Sequence, residues 1–365
     1  MQNFRYEIAL PLIEGIGLTN AKNLIEHYGC AEKVFEDADR LLQKTIHNND
    51  VSALKRNALE RADRELEFID KHHIRVCYYK NDDYPFRLRE CIDAPILLYG
   101  LGNYDYNCKH VVSVVGTRQP TDRGRELCTR FVTELVGLLP DVLVVSGLAY
   151  GIDVTAHRAA LAAGAPTLIV PAHGLDRIYP ALHRNVAMQA VEHGGILTEF
   201  PSGTTPERQN FVQRNRIIAG LADAVVVVES KSKGGSLITA EMANSYSRDV
   251  FAFPGRPTDE QASGCNKLIK YNNARMIESA EDLVVSMMWE ETRQIVPVQT
   301  ELLPDLEPDE QNVIDILHRE PDGMHVNQIV AESKLAFSNL SALLFTMEMK
   351  GLVKSLPGGM YRALK

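Results

Sequence analysis

Four stretches of this chain carry residue types at spacings that suit anion binding. Three are glycine-containing turns: Val115-Gly116-Thr117-Arg118, Ser146-Gly147-Leu148-Ala149-Tyr150-Gly151-Ile152-Asp153 and Lys233-Gly234-Gly235-Ser236. Each follows an apolar run and leads into a helical one. Glycine there admits positive φ and lets backbone N–H groups approach a phosphate at the next helix N-terminus. None has the spacing G-x-G-x-x-G or G-x-x-x-x-G-K-S/T, so neither a dinucleotide nor a nucleoside triphosphate is indicated. What remains is a phosphate pocket, or the blander reading that glycine merely suits tight strand-to-helix turns.

The fourth stretch is Arg208-Gln209-Asn210-Phe211-Val212-Gln213-Arg214-Asn215-Arg216, after the loop Pro201-Ser202-Gly203-Thr204-Thr205-Pro206. Guanidinium groups bind phosphate in forked geometry, and a nearby ring can stack on an unpaired base. The alternative makes Phe211 a core anchor and pairs Arg214 or Arg216 with Glu199 or Glu241. Asp153 and His157 stand four apart on one helix face, which suits an acid–base pair or half a metal site. A helix-capping aspartate beside a hydrogen-bonded core histidine is the favoured reading. No Ser–His–Asp order, paired carboxylates or H-E-x-x-H helix is present, so the stretches describe a pocket without catalytic machinery.

The elements that must position these residues follow from apolar periodicity. Short β-branched runs at Val111–Val115, Val142–Val145, Thr167–Val170, Ile196–Leu197, Ala224–Val228 and Val250–Phe253 read as strands. They alternate with helical stretches at Glu126–Leu139, Val154–Ala163, Leu182–His193, Phe211–Leu221 and Leu237–Ser247. Apolar runs this continuous are buried on both faces, and the alternation predicts an α/β fold: a doubly wound, mostly parallel Rossmann-like sheet over residues 78–285. In such a sheet the glycine turns gather at the carboxyl edge.

Residues 1–75 read as a helical domain. Its segment Glu14-Gly15-Ile16-Gly17 before Thr19-Asn20-Ala21-Lys22 looks like a helix-hairpin-helix, or a plain tight turn between packed helices. Residues 286–308 form an acidic linker containing Pro297, Pro304 and Pro308, expected to be extended. Residues 309–365 predict three short helices and two strands, the pattern of a winged helix. Its third helix, Ser338–Lys350, has one lysine at its far end, which suits contact with protein better than reading of a DNA groove.

The net charge of −9 in 365 residues weighs against nucleic acid only until its distribution is counted. Residues 276–307 hold 8 acidic and 1 basic residue, whereas residues 110–275 hold 17 basic and 15 acidic. Local charge steers a polyanion, and near the turns it is permissive. The six cysteines lie far apart without metal-ligand spacing, so reduced thiols packed as small hydrophobes are expected. No secretory or membrane-spanning segment is evident, which predicts a cytoplasmic chain with no membrane partner.

The ordered motifs resemble the DNA-processing protein A (DprA, or Smf) family. They are Gly116-Thr117-Arg118; Ser146 to Asp153 with Ala156-His157; Gly174-Leu175-Asp176 with Tyr179-Pro180; Phe211 with Arg214-Asn215-Arg216-Ile217-Ile218-Ala219-Gly220-Leu221; Gly235 to Ala240; and Pro254-Gly255. The resemblance implies a protein that binds and protects single-stranded DNA and loads the RecA recombinase during natural transformation. It also implies a homodimer through the Rossmann-like domain, no cofactor and no turnover. Under it, Arg118 holds backbone phosphate, Arg208 matches a basic position and Phe211 matches the aromatic that contacts a base. Arg214 and Arg216 match a paired motif that touches DNA or braces the pocket. Gly116, Thr117, Ser146, Gly147, Asn215, Gly234, Gly235 and Ser236 complete the expected DNA-binding set. Thr117, Thr198, Val212 and Tyr271-Asn272-Asn273-Ala274 depart from the pattern, the last at an edge suited to dimerisation.

An enzyme is the rival reading. Phosphoribohydrolases on a related fold cleave nucleoside monophosphates with a turn P-G-G-x-G-T-x-x-E. Here Gly234-Gly235-Ser236-Leu237-Ile238-Thr239-Ala240-Glu241 keeps two glycines and the glutamate, but Leu237 replaces the third glycine.

Overall fold

The computed structural model describes residues 4–46, 50–102, 104–289, 306–320, 323–356 and 358–364. Two compact units divide the chain, Met1–Trp289 and Glu290–Lys365. The first opens with five helices: α1 (Arg5–Leu12), α2 (Leu18–Tyr28), α3 (Ala31–Asp37), α4 (Asp39–Ile46) and α5 (Val51–His72). Their apolar positions, among them Ile8, Leu10, Leu24, Ile25 and Ile69, pack into one cluster with Tyr78, Leu97 and Tyr99 of the strands that follow. The helical segment and the sheet therefore share a core. Helix α5 starts where the Asp50 side chain accepts the Ala53 N–H and stops at His73, whose φ of 51° is left-handed.

Next come β1 (Arg75–Tyr78), α6 (Phe86–Arg89) and β2 (Leu97–Leu101), in a stretch where spacing predicts no element. The alternating portion then runs β3 (Val111–Val115), α7 (Asp122–Leu138), β4 (Leu143–Ser146), α8 (Ile152–Ala162), β5 (Thr167–Ile169), α9 (Arg184–His193), β6 (Gly195–Thr198), α10 (Arg208–Leu221), β7 (Ala224–Val227) and α11 (Gly235–Ser245). It closes with β8 (Asp249–Ala252), α12 (Ser263–Lys270), β9 (Arg275–Met276) and α13 (Ala280–Ser286).

The nine strands order as β1-β2-β6-β5-β4-β3-β7-β8-β9. From β6 to β9 every pairing is parallel, while β1 and β2 add antiparallel strands at one edge. Every residue of β3 to β7 is buried, as strands covered on both faces require. The chain runs outward from β3 to β6 and then returns to place β7 on the other side of β3. That reversal puts the ligand crevice of an α/β sheet between the turns after β3 and β7.

Those two turns are tied together. The Glu229 carbonyl accepts from the Thr117 N–H at 2.7 Å. Its carboxylate accepts from Thr121 Oγ1 at 2.6 Å and from the Thr121 N–H at 2.9 Å, while Thr121 caps α7. Gly124 lies directly under this carboxylate, so a Cβ there would overlap it.

The second unit contains α14 (Pro308–Leu317), β10 (Met324–His325), α15 (Val326–Ser333), α16 (Phe337–Met349), β11 (Val353–Leu356) and β12 (Met360–Ala363). Its sheet orders as β10-β12-β11 around a separate core of Val313, Leu317, Ile329, Leu340, Leu344 and Met347. This is the expected winged helix with one more strand, β10, too short for alternation to reveal. Pro308, expected in the linker, is instead the first residue of α14, where a missing N–H costs nothing. At the other end Ser286, also expected in the linker, is the last residue of α13, and residues 290–305 of the expected extended segment lie outside the described residues. Just past α16 the Lys350 ammonium is held by the buried Glu310 at 2.7 Å, and on the helix Phe345 and Met349 are exposed. Among the described residues no helix is long and apolar enough to cross a membrane.

Gly124→Ala is expected to destabilise the first unit by about 1–3 kcal/mol, because the added methyl must displace the Glu229 carboxylate. A denaturant titration showing an unchanged midpoint would remove Glu229 as the tie between these turns.

Candidate nucleic-acid interface

At the crevice, Arg118 is exposed and its guanidinium carbon lies 4.9 Å from the centre of the Phe211 ring. Phe211 is half-buried in the first turn of α10, and Tyr179, 46% exposed, stands 6.2 Å from it between ring centres. Arg208 is exposed at the start of α10, one turn before Phe211 and so on the same helix face. The structure thus brings together a cation, a second cation and two rings that keep free surface. An exposed guanidinium on a ring face is a phosphate donor beside a stacking platform.

Tyr179 was visible in the sequence only as part of a motif, with no role attached. Its N–H donates to His173 Nε2 at 3.2 Å, and His173 Nδ1 donates to the Gly174 carbonyl at 2.8 Å. Burial holds His173 neutral by pushing its pKa down, which keeps Nε2 an acceptor. Tyr150, 47% exposed and edge-on to His183 at 4.9 Å, is another ring on the turn after β4.

Other residues expected to touch DNA are buried. Arg214 is 3% exposed, and its Nη1 donates to the Gly147 carbonyl at 2.8 Å and to that of Val170. Burial pulls its pKa down to about 10, opposed by the Asp153 charge, so it stays protonated at neutral pH. Arg216, 5% exposed, pairs with Glu199 and donates to the Asp93 carbonyl, as the salt-bridge alternative required. Ser146 is fully buried, with its hydroxyl on the Val114 carbonyl at 2.6 Å. The Ser236 hydroxyl is spent on Ser230 at 2.9 Å. Asn215 is half-buried. The polar groups of Arg214, Arg216, Ser146 and Ser236 are engaged by the protein itself, so their direct contact with a strand would require breaking them free.

The glycines serve close packing more than unusual φ. Among the described residues of the three turns, only Leu148 (φ 62°) and Gly151 (φ 82°) are left-handed. A Cβ at Gly116 would strike Ile152, one at Gly147 the Arg214 guanidinium, and one at Gly234 the Ser230 hydroxyl. Gly235 is exposed at the head of α11, following the exposed Lys233.

Asp153 accepts the Ala149 N–H at 3.3 Å from inside the first turn of α8, closing the turn before it. His157 is fully buried, and its Nδ1 donates to Thr167 Oγ1 at 2.7 Å, whose hydroxyl continues to the Val144 carbonyl at 2.8 Å. Both side chains are buried, and no hydrogen bond joins them among the described residues. Among the described residues no cluster of His, Cys, Asp and Glu could hold a metal. Glu241 is exposed and lines a cleft with Asn244, Lys267 and Asn273, while Leu237 packs against the sheet core.

Burial, with Arg214 nearby, pushes the His157 pKa down from 6.5 to about 3. Between those values the unfolded chain binds the proton and the folded one does not. This contribution is complete above pH 6.5 and is lost as pH falls toward 3. The stability difference between wild type and His157→Gln is expected to change by ~1.4 kcal/mol per pH unit across that window. Urea titrations from pH 7 to pH 4 in which the unfolding free energies of the two proteins change equally with pH would contradict it.

The family model for DNA recombination-mediator protein A matches residues 75–288, and that for the DprA winged helix domain matches residues 297–359. Protein Smf of Synechocystis is 33% identical over an alignment of 400 residues covering 98% of each chain. The DNA processing protein DprA of Bacillus subtilis is 36% identical over 248 residues, 67% of this chain and 82% of that one. The structure of DprA from Streptococcus pneumoniae superimposes with a TM-score of 0.67 at 32% identity, covering 78% of this chain and 98% of that chain. A Helicobacter pylori DprA structure, described for its single-stranded DNA binding mode, gives 0.53 at 26% identity over 60% and 98%. On the matched motifs, the shared sheet and the full-length likeness to Smf, this chain belongs to the DNA recombination-mediator protein A (DprA/Smf) family.

Proposed function

We propose that the chain binds and protects single-stranded DNA on the face formed by Arg118, Arg208, Phe211 and Tyr179, and passes that strand to a RecA-type recombinase. The observation that carries this reading is the exposed Arg118 guanidinium 4.9 Å from the Phe211 ring, at the sheet's reversal point. A ring platform needs the face of an unpaired base, which favours a single strand over a duplex. The single-stranded DNA binding described for the Helicobacter pylori relative supports the same ligand.

In this reading Arg118 and Arg208 hold phosphates and Phe211 stacks on a base. Gly116 and Thr117 form the turn beneath Arg118. Arg214 on the Gly147 carbonyl and Arg216 on Glu199 brace α10, Ser146 ties β4 to β3, Asn215 lies between the two arginines, and Gly234, Gly235 and Ser236 shape the neighbouring turn. The protein acts in the cytoplasm, without cofactor or turnover. Leu237 in place of the third glycine argues against phosphoribohydrolase chemistry, and release of base from nucleoside monophosphates would overturn that part. A homodimer forms through the sheet edge at β9, where Tyr271 and Met276 are exposed, and α16 contacts protein.

Fluorescence anisotropy with a labelled oligonucleotide tests the reading. Arg118→Ala and Arg208→Ala are each expected to weaken binding and to reduce the slope of log affinity against log salt by ~0.7, one released counterion on a single strand. Phe211→Ala is expected to lose ~1–3 kcal/mol with little change in that slope. Equal affinity of wild type and Arg118→Ala across the salt series would exclude this face.

A further inference from the structure

Helix α5 presents a stripe of buried residues, Ala58, Ala62, Glu65 and Ile69, in which one apolar position is taken by an acid. Glu65 is 1% exposed. An apolar residue would serve mere packing there at lower desolvation cost, so the carboxylate's partners define its task. They belong to a distant loop. Glu65 accepts the Ser202 N–H at 2.9 Å and 3.1 Å and the Ser202 hydroxyl at 2.5 Å. Arg61, one turn earlier, donates to Glu65 at 2.9 Å and to the Ser202 carbonyl. The backbone and hydroxyl of Ser202 are thus gripped by two residues of the N-terminal helical segment.

Both halves of the proposed DNA face hang from this loop. Toward α10, the Asn210 side-chain amide donates to the Thr205 carbonyl at 2.9 Å, fastening the loop to the turn that carries Arg208 and Phe211. Toward Tyr179, the Asp176 carboxylate accepts the Gly203 N–H at 2.8 Å, and Gly174 approaches Pro201 and Ser202 so closely that a Cβ would overlap them. We infer that Glu65 and Arg61 are positioning residues through which the N-terminal helical segment sets the spacing of Phe211, Arg208 and Tyr179. They act through Ser202 and touch no DNA. The inference rests on the DNA reading above for its effect on affinity, but the loop restraint itself does not.

The test uses the full chain with Glu65→Gln, which retains size but loses the charge and one acceptor. In the free protein, amide hydrogen exchange over residues 201–211 is expected to accelerate while exchange in β3 to β5 stays unchanged. Single-strand affinity is expected to fall about tenfold, the worth of one hydrogen bond to a charged group. In a Phe211→Ala background the same substitution is expected to lose part of that effect, because one of the three groups it positions is then gone. Arg61→Ala, at a partly exposed site, is expected to move both readouts in the same direction and serves if Glu65→Gln does not fold. Unchanged exchange at 201–211 in the variant overturns the inference whatever the DNA result. So does an affinity loss of equal size with and without Phe211. A wild type that binds no strand defeats the DNA reading alone and leaves the exchange comparison to decide the restraint.

Discussion

The buried guanidinium of Arg214 is the contact on which the rest of the site depends. A charge taken out of water costs several kcal/mol unless it is compensated, and here Nη1 meets two carbonyls, at the ends of β4 and β5. Asp153 supplies the opposing charge, and burial in turn raises the Asp153 pKa. Glycine at position 147 follows from this contact, since a side chain there would occupy the place of the guanidinium. With Arg214 pinned, α10 has one rotation about its axis that satisfies it. That rotation leaves Phe211, one turn earlier, facing Arg118.

Three buried acids extend the same logic outward. Glu229 joins the turns after β3 and β7, Glu199 takes Arg216, and Glu65 holds Ser202. Each carboxylate sits where a loop must be held at a defined distance from the sheet. Buried polar groups of this kind are costly when half-satisfied and rigid when satisfied. The result is a face whose cations and rings are held in place by the fold, and for the ligand proposed above such placement would lower the ordering cost of binding.

This division of labour sorts the arginines by depth. Arg214 and Arg216 are spent on the protein's own carbonyls and carboxylate, whereas Arg118 and Arg208 remain exposed. Their spacing in the chain does not distinguish them: all four lie beside glycine turns or on one short helix. The same holds for the glycines. Their occurrence at strand-to-helix turns was plain, but close packing rather than positive φ is what most of them serve.

The amino-acid sequence by itself determined the alternation of strands and helices from β3 to α11, because strands buried on both faces must be continuous apolar runs. It also determined the winged-helix pattern and the positions of the turns, which depend on local chain chemistry. Tertiary structure decided what local chemistry cannot encode. Strands β1 and β2 are short edge strands whose pairing lies with distant residues. The partners of Arg214, Arg216 and Glu65 are 44 and 67, 123 and 17, and 137 positions away. Whether an arginine faces water or a carbonyl depends on which elements close over it. Sequence spacing therefore named the candidate residues, and the packing of α10 and α5 against the sheet chose which of them stay exposed.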